Sequence, residues 1–169
     1  AEHADTTEED YLRIVYCKTA SVFESGCRAA AVSVDAPQEY VDAAGRFGAA
    51  VGVAFQIRDD ILDYKDGDGT GKPVGVDLKE RKITLPLLGV LREAADEREL
   101  RAMVLRVPDD PAAGGELRRI VLERGGVEYA SSRLDAYINE ALEALEQLPP
   151  SEERALLAEL ARFNAIRKI

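Results

Sequence analysis

Only two cysteines, Cys17 and Cys27, occur in the 169 residues, ten positions apart within one apolar-periodic stretch. That spacing is not a metal site, and the pair excludes a disulfide framework. They read as core or semi-buried thiols in a reducing compartment. No apolar run approaches the roughly 18–20 residues that cross a bilayer. The polar opening Ala1-Glu2-His3-Ala4-Asp5 is not a signal peptide. A soluble, cytoplasmic protein with no membrane span is therefore expected. Positive charge is also in deficit: Lys+Arg 22 against Asp+Glu 32 leaves a net charge of −10. Nucleic-acid phosphates and anionic lipid are disfavoured partners at that balance. An anionic ligand needs either a local basic cluster or a metal. Methionine is limited to Met103, and a start without one is expected either of a processing boundary or of a Met trimmed before Ala1.

What is present suffices for a core. The composition is 46% hydrophobic and 32% charged, ordinary for a globular chain, and this length needs no staple to fold. Nearly every segment has helical period. The acidic, hydroxyl-bearing run Thr6-Thr7-Glu8-Glu9-Asp10 suits a helix start. Helices are expected at about 7–34, 38–64, 84–95, 96–107, 115–124, 127–148 and 151–166, within a single unit covering 1–169. Asp35-Ala36-Pro37, Pro108–Gly114, Gly125-Gly126 and Pro149-Pro150 separate them, and the polar stretch 65–80 is the long irregular one. Gly45, Gly48 and Gly52 share one face of the second helix. Each costs a helix roughly 1 kcal/mol against Ala, so close approach of another helix is expected there. No strand alternation or internal repeat is visible, and the fold class is all-α, a helical bundle.

The chemistry concentrates at the end of the second helix, Phe55-Gln56-Ile57-Arg58-Asp59-Asp60-Ile61-Leu62-Asp63-Tyr64. At roughly 100° per residue, Gln56, Asp59, Asp60 and Asp63 fall on one side. Carboxylates are disfavoured at a helix C-terminus and repel at i, i+4, so a positive charge is expected beside them. Oxygen ligands that leave room for water suit Mg²⁺. The alternative is a solvated acidic helix end. Lys18 sits on the first helix among Tyr11, Ile14, Val15 and Val22, and its ammonium is expected to point into the protein, unless it snorkels or pairs with a nearby acid. Lys72 follows in Gly71-Lys72-Pro73, with Lys79, Arg81 and Lys82 behind it. Together these residues describe a site for a Mg-chelated diphosphate.

Two other motifs compete for the loop. Gly67 to Lys72 is one residue too short for a P-loop, and Pro73 stands where a Mg-binding hydroxyl belongs. Asp66, Asp68, Thr70 and Asp77 can be laid on an EF-hand frame with Gly71 at its turn, giving a helical calcium-binding module. Pro73, and Asp in place of Glu at the last position, weaken that frame, and it leaves Asp59, Asp60 and Asp63 without a task. A noncatalytic helical partner is a third possibility.

Phe55-Gln56-Ile57-Arg58-Asp59-Asp60-Ile61-Leu62-Asp63 resembles the second aspartate-rich motif of the trans-type isoprenyl (polyprenyl) diphosphate synthases. Lys18-Thr19-Ala20 is similar to that family's Lys-Thr-Ala signature. Gly71-Lys72-Pro73, Gly75, Asp77-Leu78 and Glu80-Arg81-Lys82-Ile83-Thr84-Leu85-Pro86-Leu87 resemble the loop and helix that follow it, with Arg81 where the family more usually has Gly.

The resemblance implies the C-terminal portion of the isoprenoid synthase fold. The implied reaction is a Mg²⁺-dependent condensation of isopentenyl diphosphate with an allylic diphosphate, releasing pyrophosphate. By the same resemblance, Asp59 coordinates Mg²⁺ with Asp60 and Asp63 in support, and Lys18 and Lys72 contact the diphosphate. Lys18 through its carbonyl, Thr19 and Gln56 face the forming allylic cation, and Phe55 lies near the isopentenyl substrate. The parent enzyme is implied to be a homodimer. The family's first aspartate-rich motif and its isopentenyl-binding basic residues fall upstream of Lys-Thr-Ala. This chain is therefore expected to be a C-terminal half that is inactive alone, with exposed apolar faces that drive association or lower stability.

Overall fold

The computed structural model describes residues 5–65 and 75–166. Every element among the described residues is helical: α1 (Glu8–Val15), a π turn (Tyr16–Ala20), α2 (Ser21–Val32), α3 (Gln38–Tyr64), α4 (Val76–Lys79), α5 (Leu85–Leu91), α6 (Glu97–Arg106), α7 (Pro111–Glu123), α8 (Gly126–Glu146) and α9 (Glu152–Ile166). None is long and apolar enough to cross a membrane. The chain resolves into two compact units. One comprises Ala1–Tyr11 with Asp59–Ser132 and Ile169; the other comprises Leu12–Arg58 with Arg133–Lys168.

Local chemistry accounts for the starts of α1 and α7. The Thr7 hydroxyl accepts the Asp10 amide at 3.1 Å while the Asp10 carboxylate accepts the Thr7 amide at 3.2 Å, a reciprocal cap at the start of α1. The stretch expected as a break at 108–114 instead opens α7 at Pro111. Asp110 accepts from Ala112 N and Ala113 N at 3.1 and 3.4 Å, and a proline in the first turn has no amide to leave unsatisfied. α5 stops at Leu91, short of the expected 95, and one turn of helix, α4, forms inside the stretch read as irregular.

In the second unit, Phe47, Ala50 and Val51 of α3, Ala141, Ala144 and Leu145 of α8 and Ala161 of α9 form a buried cluster. The glycine face does what its spacing suggests. A Cβ at Gly48 would lie 2.6 Å from the carbonyl oxygen of Phe23, and one at Gly52 would lie 2.6 Å from the Cα of Ala20. α2 and the π turn thus press backbone-close against α3. In the first unit, Leu85, Leu87 and Leu91 of α5, Val104 of α6 and Leu117 and Val121 of α7 are fully buried. A second link there is polar and partly buried. Tyr129 of α8 donates to Glu8 at 2.5 Å and accepts from Arg92 at 3.1 Å, joining α1, α8 and the residue that follows α5.

Candidate functional site

The end of α3 carries its three carboxylates into the first unit, and each meets a different environment. Asp60 is 3% exposed and accepts from the Tyr11 hydroxyl at 2.6 Å; Tyr11 is itself buried. A carboxylate removed from water needs such a donor, because desolvation without one is costly. Asp63 accepts from the backbone amides of Val76 and Asp77 at 3.1 and 3.2 Å, one on each oxygen. Burial pushes the Asp63 carboxyl above the usual carboxylate range and the nearby Asp77 adds to this, against the pull of those two amides and of Lys82. Asp59 is partly exposed. Among the described residues, no three His, Cys, Asp or Glu side chains converge into a ready metal cage.

The positive charge expected at this helix end is present, from Lys82 nearby and from Arg118 far along the chain. Arg118 of α7 donates to the Tyr64 carbonyl at 2.6 Å, closing the C-terminus of α3 with a cation where the helix dipole is negative. Lys82 is held by Asp77 at 3.2 Å and Glu80 at 2.5 Å. Of the other basic residues expected here, Lys79 is exposed and Arg81 lies 3.8 Å from Asp109. Arg81 has φ 57, the left-handed conformation that glycine adopts without strain. Tyr64 is fully buried, and burial pushes its phenol far up.

In the second unit, the Thr19 hydroxyl donates to Gln56 Oε1 at 3.2 Å, bringing together two of the expected site residues. Phe55 packs against Phe23 with ring centroids 5.8 Å apart. Lys18 corrects its expectation: it is exposed, and so are Ile14 (50%) and Val22 (69%), so no apolar stripe encloses its stem. The reason is the π turn at Tyr16–Ala20. One extra residue in the turn shifts the register after Val15, so that Ala20 takes the next buried position and Lys18 and Val22 turn outward; Ile14 lies before the turn and is exposed within α1 itself. Cys17, in the same turn, is exposed rather than buried, while Cys27 is half-buried and its thiol is pushed up by burial.

Lys72, and Asp66, Asp68, Thr70 and Gly71 of the EF-hand frame, lie outside the described residues. Asp77, the frame's last position, is engaged by Lys82. Sequence reasoning missed Tyr11 as a polar partner, having counted it as apolar stripe. It missed Arg118 altogether, since nothing local links it to a carbonyl 54 residues away.

The family model described as polyprenyl synthetase matches residues 1–121. The chain is 36% identical over 168 residues to octaprenyl diphosphate synthase of Escherichia coli (strain K12), covering 96% of this chain and 51% of that protein. It is 40% identical over 170 residues to the geranyl-diphosphate-specific all-trans-nonaprenyl-diphosphate synthase of Rhodobacter capsulatus, covering 96% and 50%. Among solved structures, the polyprenyl synthase of Caulobacter crescentus CB15, complexed with calcium and isoprenyl diphosphate, superposes with a TM-score of 0.89 at 31% identity, covering 99% of this chain and 52% of that one. The chain spans about half the length of the curated relatives it matches.

Proposed function

Because the chain belongs to the polyprenyl synthetase family, we propose that it is part of a cytoplasmic, homodimeric prenyltransferase that condenses isopentenyl diphosphate with an allylic diphosphate and releases pyrophosphate. Its share of the reaction is ionisation of the allylic substrate. Departure of a diphosphate builds negative charge on the leaving group and positive charge on the allyl carbon, and groups already oriented toward each stabilise the transition state more than the ground state.

The observation that carries this reading is the hydrogen bond from Thr19 to Gln56. It directs the hydroxyl proton to the Gln56 amide oxygen and leaves the Thr19 lone pairs facing elsewhere, the polarity that a developing carbocation takes. On the leaving-group side, Asp59 is assigned as the metal carboxylate, with Asp60 in support and Lys18 and Lys72 on the diphosphate. This donor set fits Mg²⁺, which takes one or two carboxylates and completes its shell with water and substrate phosphate, so a preformed cage is not required. When bound, Mg²⁺ would neutralise charge on the departing pyrophosphate. The exposure of Lys18 suits a cation that meets substrate rather than one held in a core. Phe55, packed on Phe23, supplies an apolar wall for the isopentenyl group. The 169 residues by themselves do not complete turnover.

Calorimetric titration of pyrophosphate with and without Mg²⁺, and of Ca²⁺ alone, tests the proposal. Mg²⁺-dependent pyrophosphate binding that disappears in Asp59→Ala and weakens about tenfold or more in Lys72→Ala is the expected result. Ca²⁺ binding without any pyrophosphate binding would favour the calcium module. Product formation from both diphosphates by the isolated chain would contradict its inactivity.

A further inference from the structure

The chain after the long polar stretch re-enters the described structure at Gly75, and three consecutive amides there point at one residue. Gly75 N donates to the Asp63 carbonyl at 3.0 Å, Val76 N to Asp63 Oδ1 at 3.1 Å and Asp77 N to Asp63 Oδ2 at 3.2 Å. Gly75 is left-handed, with φ 73 and ψ 26, and the residues after it are helical. A left-handed residue followed by helical ones gathers successive N–H groups into a concavity that holds an anion. Here the anion is the protein's own carboxylate. The turn continues through Lys79 N to the Gly75 carbonyl, Glu80 N to the Val76 carbonyl and Lys82 N to the Asp77 carbonyl at 3.2, 3.0 and 2.8 Å. The Asp77 side chain then takes the Lys82 ammonium.

We propose that Asp63 is a positioning residue rather than a metal ligand: its two carboxylate oxygens fix the Gly75–Lys82 turn, and with it the Asp77–Lys82 pair, at the aspartate-bearing end of α3. The metal part of this inference rests on the prenyltransferase reading; the anchoring part does not. Each oxygen keeps a second lone pair, but the two amides fix the plane and direction of the carboxylate toward the turn, so swinging it round to a cation elsewhere would cost two charge-assisted bonds. What the turn requires from residue 63 is hydrogen-bond acceptance, not negative charge. Asparagine therefore preserves one of the two bonds, through its single acceptor oxygen, and alanine preserves neither.

Two measurements on the full chain decide it. Amide hydrogen exchange by NMR is expected to rise at least about tenfold at both Val76 and Asp77 in Asp63→Ala, and at only one of them in Asp63→Asn, with Ile57 and Ile61 unchanged. Mg²⁺-dependent pyrophosphate affinity is expected to stay within about threefold of the unsubstituted chain in Asp63→Asn and to be lost in Asp59→Asn. Unchanged exchange at Val76 and Asp77 in Asp63→Ala overturns the anchoring role. Loss of Mg²⁺ dependence in Asp63→Asn overturns the exclusion from metal binding, whatever the exchange shows. If the unsubstituted chain binds no pyrophosphate, that result counts against the prenyltransferase reading in this chain, and exchange alone judges the anchor.

Discussion

Three aspartates within five positions of α3 look equivalent in sequence, yet each has a distinct neighbourhood: a buried phenol for Asp60, two backbone amides for Asp63, partial solvent access for Asp59. Spacing alone puts them on one face; which donors reach them depends on segments from elsewhere in the chain. The Tyr11–Asp60 bond is the most exposed to test, because Tyr11→Phe keeps the ring and removes only the hydroxyl. Loss of that donor to a buried carboxylate is expected to lower stability by about 1.5–3 kcal/mol in urea unfolding. A change below about 0.5 kcal/mol would mean that Asp60 is satisfied without Tyr11. Lys18 carries the opposite lesson. Its expected burial assumed an unbroken α-helical register, and a single π turn moves the register by one residue.

At the level of elements, the glycine face of α3 is the feature most legible in the sequence. Three glycines at helical spacing announced a close helix contact, and α2 with its π turn supplies it. At Gly48 the opposing group is backbone, which cannot swing aside as a flexible side chain can. Gly48→Ala is therefore expected to destabilise the protein by about 1–3 kcal/mol despite alanine's better helix propensity. A thermal melt that rises would show instead that α2 can move away at little cost. The start of α7 is legible in principle: Asp110-Pro111 is a cap followed by a first-turn proline, and the helix continues through Gly114 and Gly115 despite their low helix propensity. α4 was not legible. Four residues of helix hold together because Asp63 accepts their first amides, a partner 13 and 14 positions away.

For the whole molecule, the outer face of α9 is the telling surface. Leu156, Leu160 and Phe163 lie 63%, 58% and 58% exposed at i, i+4 and i+7, while Ala161 and Asn164 on the other side are buried. An apolar stripe left in water promotes association. Light scattering of the purified chain is expected to show mass rising with concentration, and Leu160→Glu with Phe163→Glu is expected to suppress it; a sharp monomer at all concentrations would contradict this. The all-α class, the small-residue packing face, the aspartate-rich helix end and its need for a nearby cation could all be read from residue order. Each is set by helical periodicity and by charge against the helix dipole, which act over a few residues. The supply of that cation by Arg118, the sharing of Asp60 and Asp63 among Tyr11, Val76 and Asp77, and the outward placement of Lys18 came only with the folded chain. Hydrogen bonds spanning 49 and 54 residues, like the extra residue in one turn, leave no periodic trace; they follow from which surfaces the packing brings within 3 Å.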